Sequence, residues 1–72
     1  MKRQTQIGNM IKKVYVEKLS GNPDDLVHVY EKGGEIRVVR NDDTEACIAW
    51  QDIENLNEDR IAEALQNFEL IE

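Results

Sequence analysis

Residues 26–40, LVHVYEKGGEIRVVR, constrain the fold of this chain more than any other stretch. Two glycines separate two runs rich in β-branched residues. A type I′ turn needs φ > 0 at both central positions, which glycine adopts at little steric cost. The spacing therefore predicts a β-hairpin closed by Gly33 and Gly34. With those two residues as the loop, Lys32 pairs with Glu35, Glu31 with Ile36, Tyr30 with Arg37 and Val29 with Val38. Alternation then places Val27, Val29, Ile36 and Val38 on one face, and His28, Tyr30, Lys32, Glu35, Arg37 and Val39 on the other. A slip by one residue would turn Val29 and Val38 to opposite faces, so burial of the valine face specifies the register. On the polar face the pairing predicts a Lys32–Glu35 contact and a Tyr30–Arg37 stack.

Around this hairpin the pattern predicts a small α+β domain of layout β-β-β-β-α, a four-stranded antiparallel meander with one C-terminal α-helix packed on one face. Seventy-two residues, 40% of them apolar, suffice for a single domain with one core. Residues 1–9 are polar and read as a loosely ordered N-terminal extension. Residues 7–19 admit two readings. Ile7, Met10, Ile11, Val14 and Tyr15 fall at helical spacing, whereas residues 12–16 are rich in strand formers and put Val14 and Val16 on one face. Gly8 and Asn9 weaken a helix, and a strand over residues 11–18 is the preferred reading.

Residues 20–25, SGNPDD, form a loop in which Pro23 drives Asn22 away from helical geometry. Residues 41–44, NDDT, make a second turn. Residues 45–50 then read as a fourth strand, with Ala46, Ile48 and Trp50 on one face and Cys47 and Ala49 on the other, paired antiparallel with residues 35–40. Residues 51–55 suit a helical turn capped by Asp52, with Ile53 inward. Asn57 is the expected N-cap of the last helix, and Glu58 and Asp59 lie in its first turn, where the helix dipole favours negative charge. Leu56 and Ile61 have the spacing of a hydrophobic staple. Ile61, Ala64, Leu65 and Phe68 form the stripe expected to cover the valine face, and Leu70 and Ile71 extend the apolar character.

The inventory for chemistry is thin. His28 is the single histidine and Cys47 the single cysteine, too few for a structural zinc site. The pairs Asp24-Asp25 and Asp42-Asp43 lack the spacing of a calcium loop. The glycine pair lies between strands and not ahead of a helix, so it is no phosphate cradle. No catalytic residue, metal site or cofactor is assigned, and the chain is expected to be non-enzymatic. A lone cysteine forms no intramolecular disulfide and suits a reducing compartment. Lys2 and Arg3 precede no signal-type apolar run, and no window approaches a membrane span. The expectation is a cytoplasmic protein without membrane contact.

Charge is the most distinctive property. Residues 1–40 hold eight basic against five acidic residues, whereas residues 41–72 hold ten acidic residues against Arg60 alone. Asp52, Glu54, Glu58, Asp59 and Glu63 are the candidate partner-binding residues, because a row of carboxylates steers a basic partner. In size, acidity and expected sheet-plus-helix fold the chain resembles small inhibitors carried by phages and mobile elements, some anti-CRISPR proteins among them. That resemblance covers no motif and assigns no residue. It implies a nucleic-acid-handling protein with a basic site as the target.

Two other readings stand beside it. In one the chain is a homodimeric structural domain that pairs through the edge of the strand at residues 45–50, because Lys12, Lys13 and Lys18 blunt the opposite edge. In the other, Tyr15, Tyr30 and Arg37 with Lys12 and Lys13 form a sheet face that grips single-stranded nucleic acid. The acidic pI of about 4.7 opposes the last, since phosphate contacts supply most non-specific affinity.

Overall fold

The computed structural model describes the backbone of residues 2–70 and the side chains of residues 6–70. Helix α1 (Lys2–Leu19) leads through a single 3-10 turn (Pro23–Asp25) into strands β1 (Leu26–Lys32), β2 (Glu35–Arg40) and β3 (Thr44–Ala49). Two short helices follow, α2 (Trp50–Glu54) and α3 (Glu58–Ala64), and a two-residue strand β4 (Glu69–Leu70) ends the described chain. The sheet is antiparallel, in the order β1-β2-β3-β4. The architecture is thus α+β with a four-stranded antiparallel sheet, but with helices on both sides of the strands in sequence. The expected β-β-β-β-α layout is corrected at its beginning and its end.

The hairpin forms in the expected register, Val29 opposite Val38 and Lys32 opposite Glu35, with Gly33 at φ 59° and Gly34 at φ 80°. One detail departs. The register shifts between Leu26 and His28, so Val27 is the extra residue of a bulge. The bulge turns Leu26 into the core at 4% exposure and leaves Val27 59% exposed. The valine face is therefore completed by a leucine, one residue earlier than strict alternation allows.

Residues 11–18 are helical and belong to α1, which starts at Lys2; Ile7, from the stretch expected to be a loose extension, packs against the core. The helical stripe decides the conformation. Ile11, Val14 and Tyr15 are buried, with Ile7, Met10 and Leu19 packed beside them, whereas a strand would have buried Val16, which is 43% exposed. Burying several large side chains at about 1.5–3 kcal/mol each outweighs the strand propensity of two valines and the cost of Gly8. Ser20 ends the helix in the left-handed conformation at φ 55°, its N–H donating to the Val16 carbonyl at 3.0 Å. Gly21 follows because the Tyr15 ring lies where a Cβ would stand.

Residues 45–49 pair with residues 35–39 in the expected antiparallel sense, Ile36 opposite Ile48 and Val38 opposite Ala46. Among the described residues β4 pairs only with the start of this strand, Thr44 with Leu70 and Glu45 with Glu69, and leaves residues 46–49 without a strand partner on that side. The edge expected to self-pair is thus closed only at its first two residues, and β1 is the other outer strand of the sheet.

Trp50 begins α2 instead of ending the strand. Ile53 is buried as expected, but Ala49 and not Asp52 occupies the cap position. Asn57 does cap α3, accepting from the Arg60 N–H at 3.4 Å. Helix α3 stops at Ala64, so Phe68 reaches the core from the following loop, edge-on to Tyr15 and under the Arg40 guanidinium at 4.1 Å. The expected covering helix is thus short, and α1 and α3 together cover the sheet. Ile71 lies outside the described residues, and Leu70 is 75% exposed.

Candidate functional site

The five acids expected to bind a partner lie on α2, α3 and the turn between them. Glu54 ends α2, Glu58 and Asp59 open α3, and Asp52 and Glu63 flank them one turn away. Packing α1 against α3 interleaves some opposite charge, as Lys18 approaches Asp59 at 3.5 Å. Arg60 lies between Asp52 at 3.8 Å and Glu63 at 3.9 Å. These contacts are long, and the side chains of Asp59 and Glu63 stay 89% and 70% exposed. Such pairs contribute a few tenths of a kcal/mol to about 1 kcal/mol and leave Asp59 and Glu63 accessible to a competing cation, whereas the Asp52 side chain is only 21% exposed. Among the described residues Glu54 and Glu58 have no basic side chain within ion-pair distance.

The turn that joins the two helices has an unusual apex. The Leu56 N–H donates to the Ile53 carbonyl at 3.1 Å and the Asn57 N–H to the Asp52 carbonyl at 3.0 Å, the paired bonds of a Schellman ending. The left-handed position of that motif favours glycine, yet here it holds Leu56 at φ 53°. The consequence is a leucine 67% exposed and absent from the core. The expected staple would bury Leu56 against Ile61, whereas Leu56 stays largely exposed. It borders a groove of about 290 Å³ between α1 and α2, lined by Ile7, Met10, Trp50, Ile53 and Glu54. Periodicity marks Ile7 and Met10 as α1 stripe residues, but no sequence signal marks a leucine that will occupy a glycine position.

A second polar cluster occupies the open face of the sheet. Glu45, with only 7% of its side chain exposed, accepts from the Tyr30 hydroxyl at 2.9 Å and from Arg37 Nη1 at 2.6 Å. Arg37 Nη2 also reaches Glu35 at 3.0 Å, and the His28 and Tyr30 rings stack at 5.0 Å. Arg37, then Tyr30, hold the Glu45 carboxyl below the usual carboxylate range, while the bond to Glu45 pushes the Tyr30 phenol up. Glu45 thus replaces the expected cross-strand partners: Arg37 turns to carboxylates instead of stacking on Tyr30, and no Lys32–Glu35 ion pair forms among the described contacts.

This face does not match the expected nucleic-acid platform. Tyr15 is buried on α1 at 8% exposure, and Arg37 is neutralised by two carboxylates. At the adjoining turn Asp42 accepts from both the hydroxyl and the N–H of Thr44, which holds its carboxyl low. Asp25 accepts from the Asn41 side chain at 3.2 Å, a structural tie between the two turns.

His28 is an exposed ring on this face, and Cys47 is exposed on the same strand face, its thiol pKa pushed up by partial desolvation. Among the described residues no cluster of three His, Cys, Asp or Glu side chains is placed to hold a metal, and no helix is long and apolar enough to cross a membrane. Neither a family model, nor a curated protein, nor a solved structure matches the chain.

Proposed function

We propose that this chain is a non-enzymatic interaction protein that engages a basic surface of another protein through Asp52, Glu54, Glu58, Asp59 and Glu63. The observation that carries the reading is the concentration of these five carboxylates on one helix–turn–helix shoulder, where only Lys18 and Arg60 approach them among the described residues, in contacts of 3.5 Å or longer. A partner bringing lysines or arginines would replace weak, solvent-screened pairs with denser ones, and the field of the shoulder would speed encounter. A nucleic-acid-handling protein is the partner class that fits, because its phosphate-binding site presents the required row of cations.

The test is capture from a nuclease-treated lysate of the protein's own source, with wild-type bait beside the triple variant E58K/D59K/E63K. The wild type should retain a basic protein that salt releases, and the triple variant should not. Equal retention by both baits overturns the reading. Self-association through the strand at residues 45–50 is the second reading, with β4 pairing only at Thr44 and Glu45.

A further inference from the structure

The acidic shoulder and the apolar groove share a rim, and this juxtaposition specifies the partner more closely. We infer that the groove between α1 and α2 receives the apolar side of a basic amphipathic helix, whose lysine or arginine side chains then lie over Glu54 and Glu58. The inference rests on the reading above and names the partner's shape. Ile7, Met10, Trp50 and Ile53 supply an apolar floor, and Leu56 rises beside it. Helices that bind in grooves do so by inserting apolar anchors spaced one turn apart, with charge at the rim setting orientation.

Charge decides among occupants. Glu54 lines the groove and Glu58 lies two residues beyond Leu56, neither with a basic side chain in ion-pair range among the described residues. An acidic or neutral amphipathic helix would bury its apolar side equally well, but would leave these carboxylates unanswered. A second copy would bring another chain of net charge −6 to an already acidic rim.

Trp50, the only tryptophan of the chain, lines the groove and reports its occupancy directly. The probe is a synthetic peptide of leucine and lysine at helical spacing, about four turns long, beside a leucine–glutamate counterpart. The lysine peptide should shift Trp50 emission saturably to the blue. The glutamate peptide should not. E54K should weaken the lysine peptide about tenfold or more, as should L56G, and added salt should weaken it in the wild type. L56G is informative because glycine suits the left-handed position, so the variant should unfold no earlier than the wild type on heating.

No saturable response to the lysine peptide, an equal response to both peptides, or undiminished binding by a folded L56G variant overturns the inference. So does a sedimentation measurement showing a dimer that E54K or L56G dissolves, since the groove would then hold a second copy. The two proposals fail separately. If L56G retains the lysate partner that E58K/D59K/E63K loses, the acidic shoulder stands and the groove does not. If the triple variant also retains it, the shoulder itself is excluded.

Discussion

Single residues carry two testable parts of this account. Glu45 is buried among its partners, and its carboxyl pKa lies below the ordinary 4.5 because Arg37 and Tyr30 hydrogen-bond the charged form. The unfolded chain therefore binds that proton first as the pH falls. The stabilisation from Glu45 is complete above about 4.5 and is lost as the pH drops through the lower folded value. Replacing Glu45 by glutamine should lower the urea midpoint at neutral pH, and the gap from the wild type should shrink in acid. A gap that stays constant into strong acid would contradict the network. At Gly21 a methyl group would sit 2.5 Å from the Tyr15 ring, so G21A should cost about 1–3 kcal/mol through displacement of that ring. An unaltered midpoint would place Tyr15 elsewhere. Neither role was legible beforehand: Gly21 reads as an ordinary turn glycine, and Glu45 as a charged residue opening a strand. Both acquire their meaning from residues distant in the chain, Tyr30 lying fifteen positions from Glu45.

Among the elements, the hairpin was readable because its signals are local. Gly33 and Gly34 set the turn, alternation set the register, and both act within fifteen residues. The bulge at Val27 escaped because it answers to a tertiary demand, the burial of Leu26. Helix α1 shows the opposite failure. Its stripe is visible at Ile7, Met10, Ile11, Val14 and Tyr15, but residues 12–16 also carry strand propensity, and burial in the core decides for the helix. The difference can be measured residue by residue. Ile11→Ala should destabilise by about 2–5 kcal/mol, while Val16→Ala should stay within about 0.5 kcal/mol of the wild type. A strand over residues 11–18 would give a large loss at Val16. The start of α3 was legible from Asn57, whereas its early end was not, because Phe68 serves the core equally well from a loop as from a helical turn.

For the whole molecule, the asymmetry of charge along the sequence becomes only partly an asymmetry in space. Packing of α1 on α3 brings Lys18 to Asp59, and Arg37 meets Glu45 across the sheet, so both halves of the chain contribute to each region. What survives this mixing is the shoulder of α2 and α3, where Glu54 and Glu58 remain without basic partners among the described residues and Leu56 is held out beside an apolar groove. The sequence displayed the acids but not their meeting with the groove, since Ile7 and Trp50 are brought together only by the fold. Binding there should weaken steeply with salt, as expected for exposed charges acting over a Debye length of about 10 Å at 0.1 M ionic strength. The central claim is that this shoulder is the binding surface. Titration of isotope-labelled protein with the leucine–lysine peptide, followed by amide chemical shifts, tests it most directly. The account predicts perturbations at Met10, Trp50, Ile53, Glu54, Leu56 and Glu58, with the amides of Tyr30, Arg37 and Cys47 unmoved. Perturbations centred on the sheet face, with the shoulder silent, would contradict it.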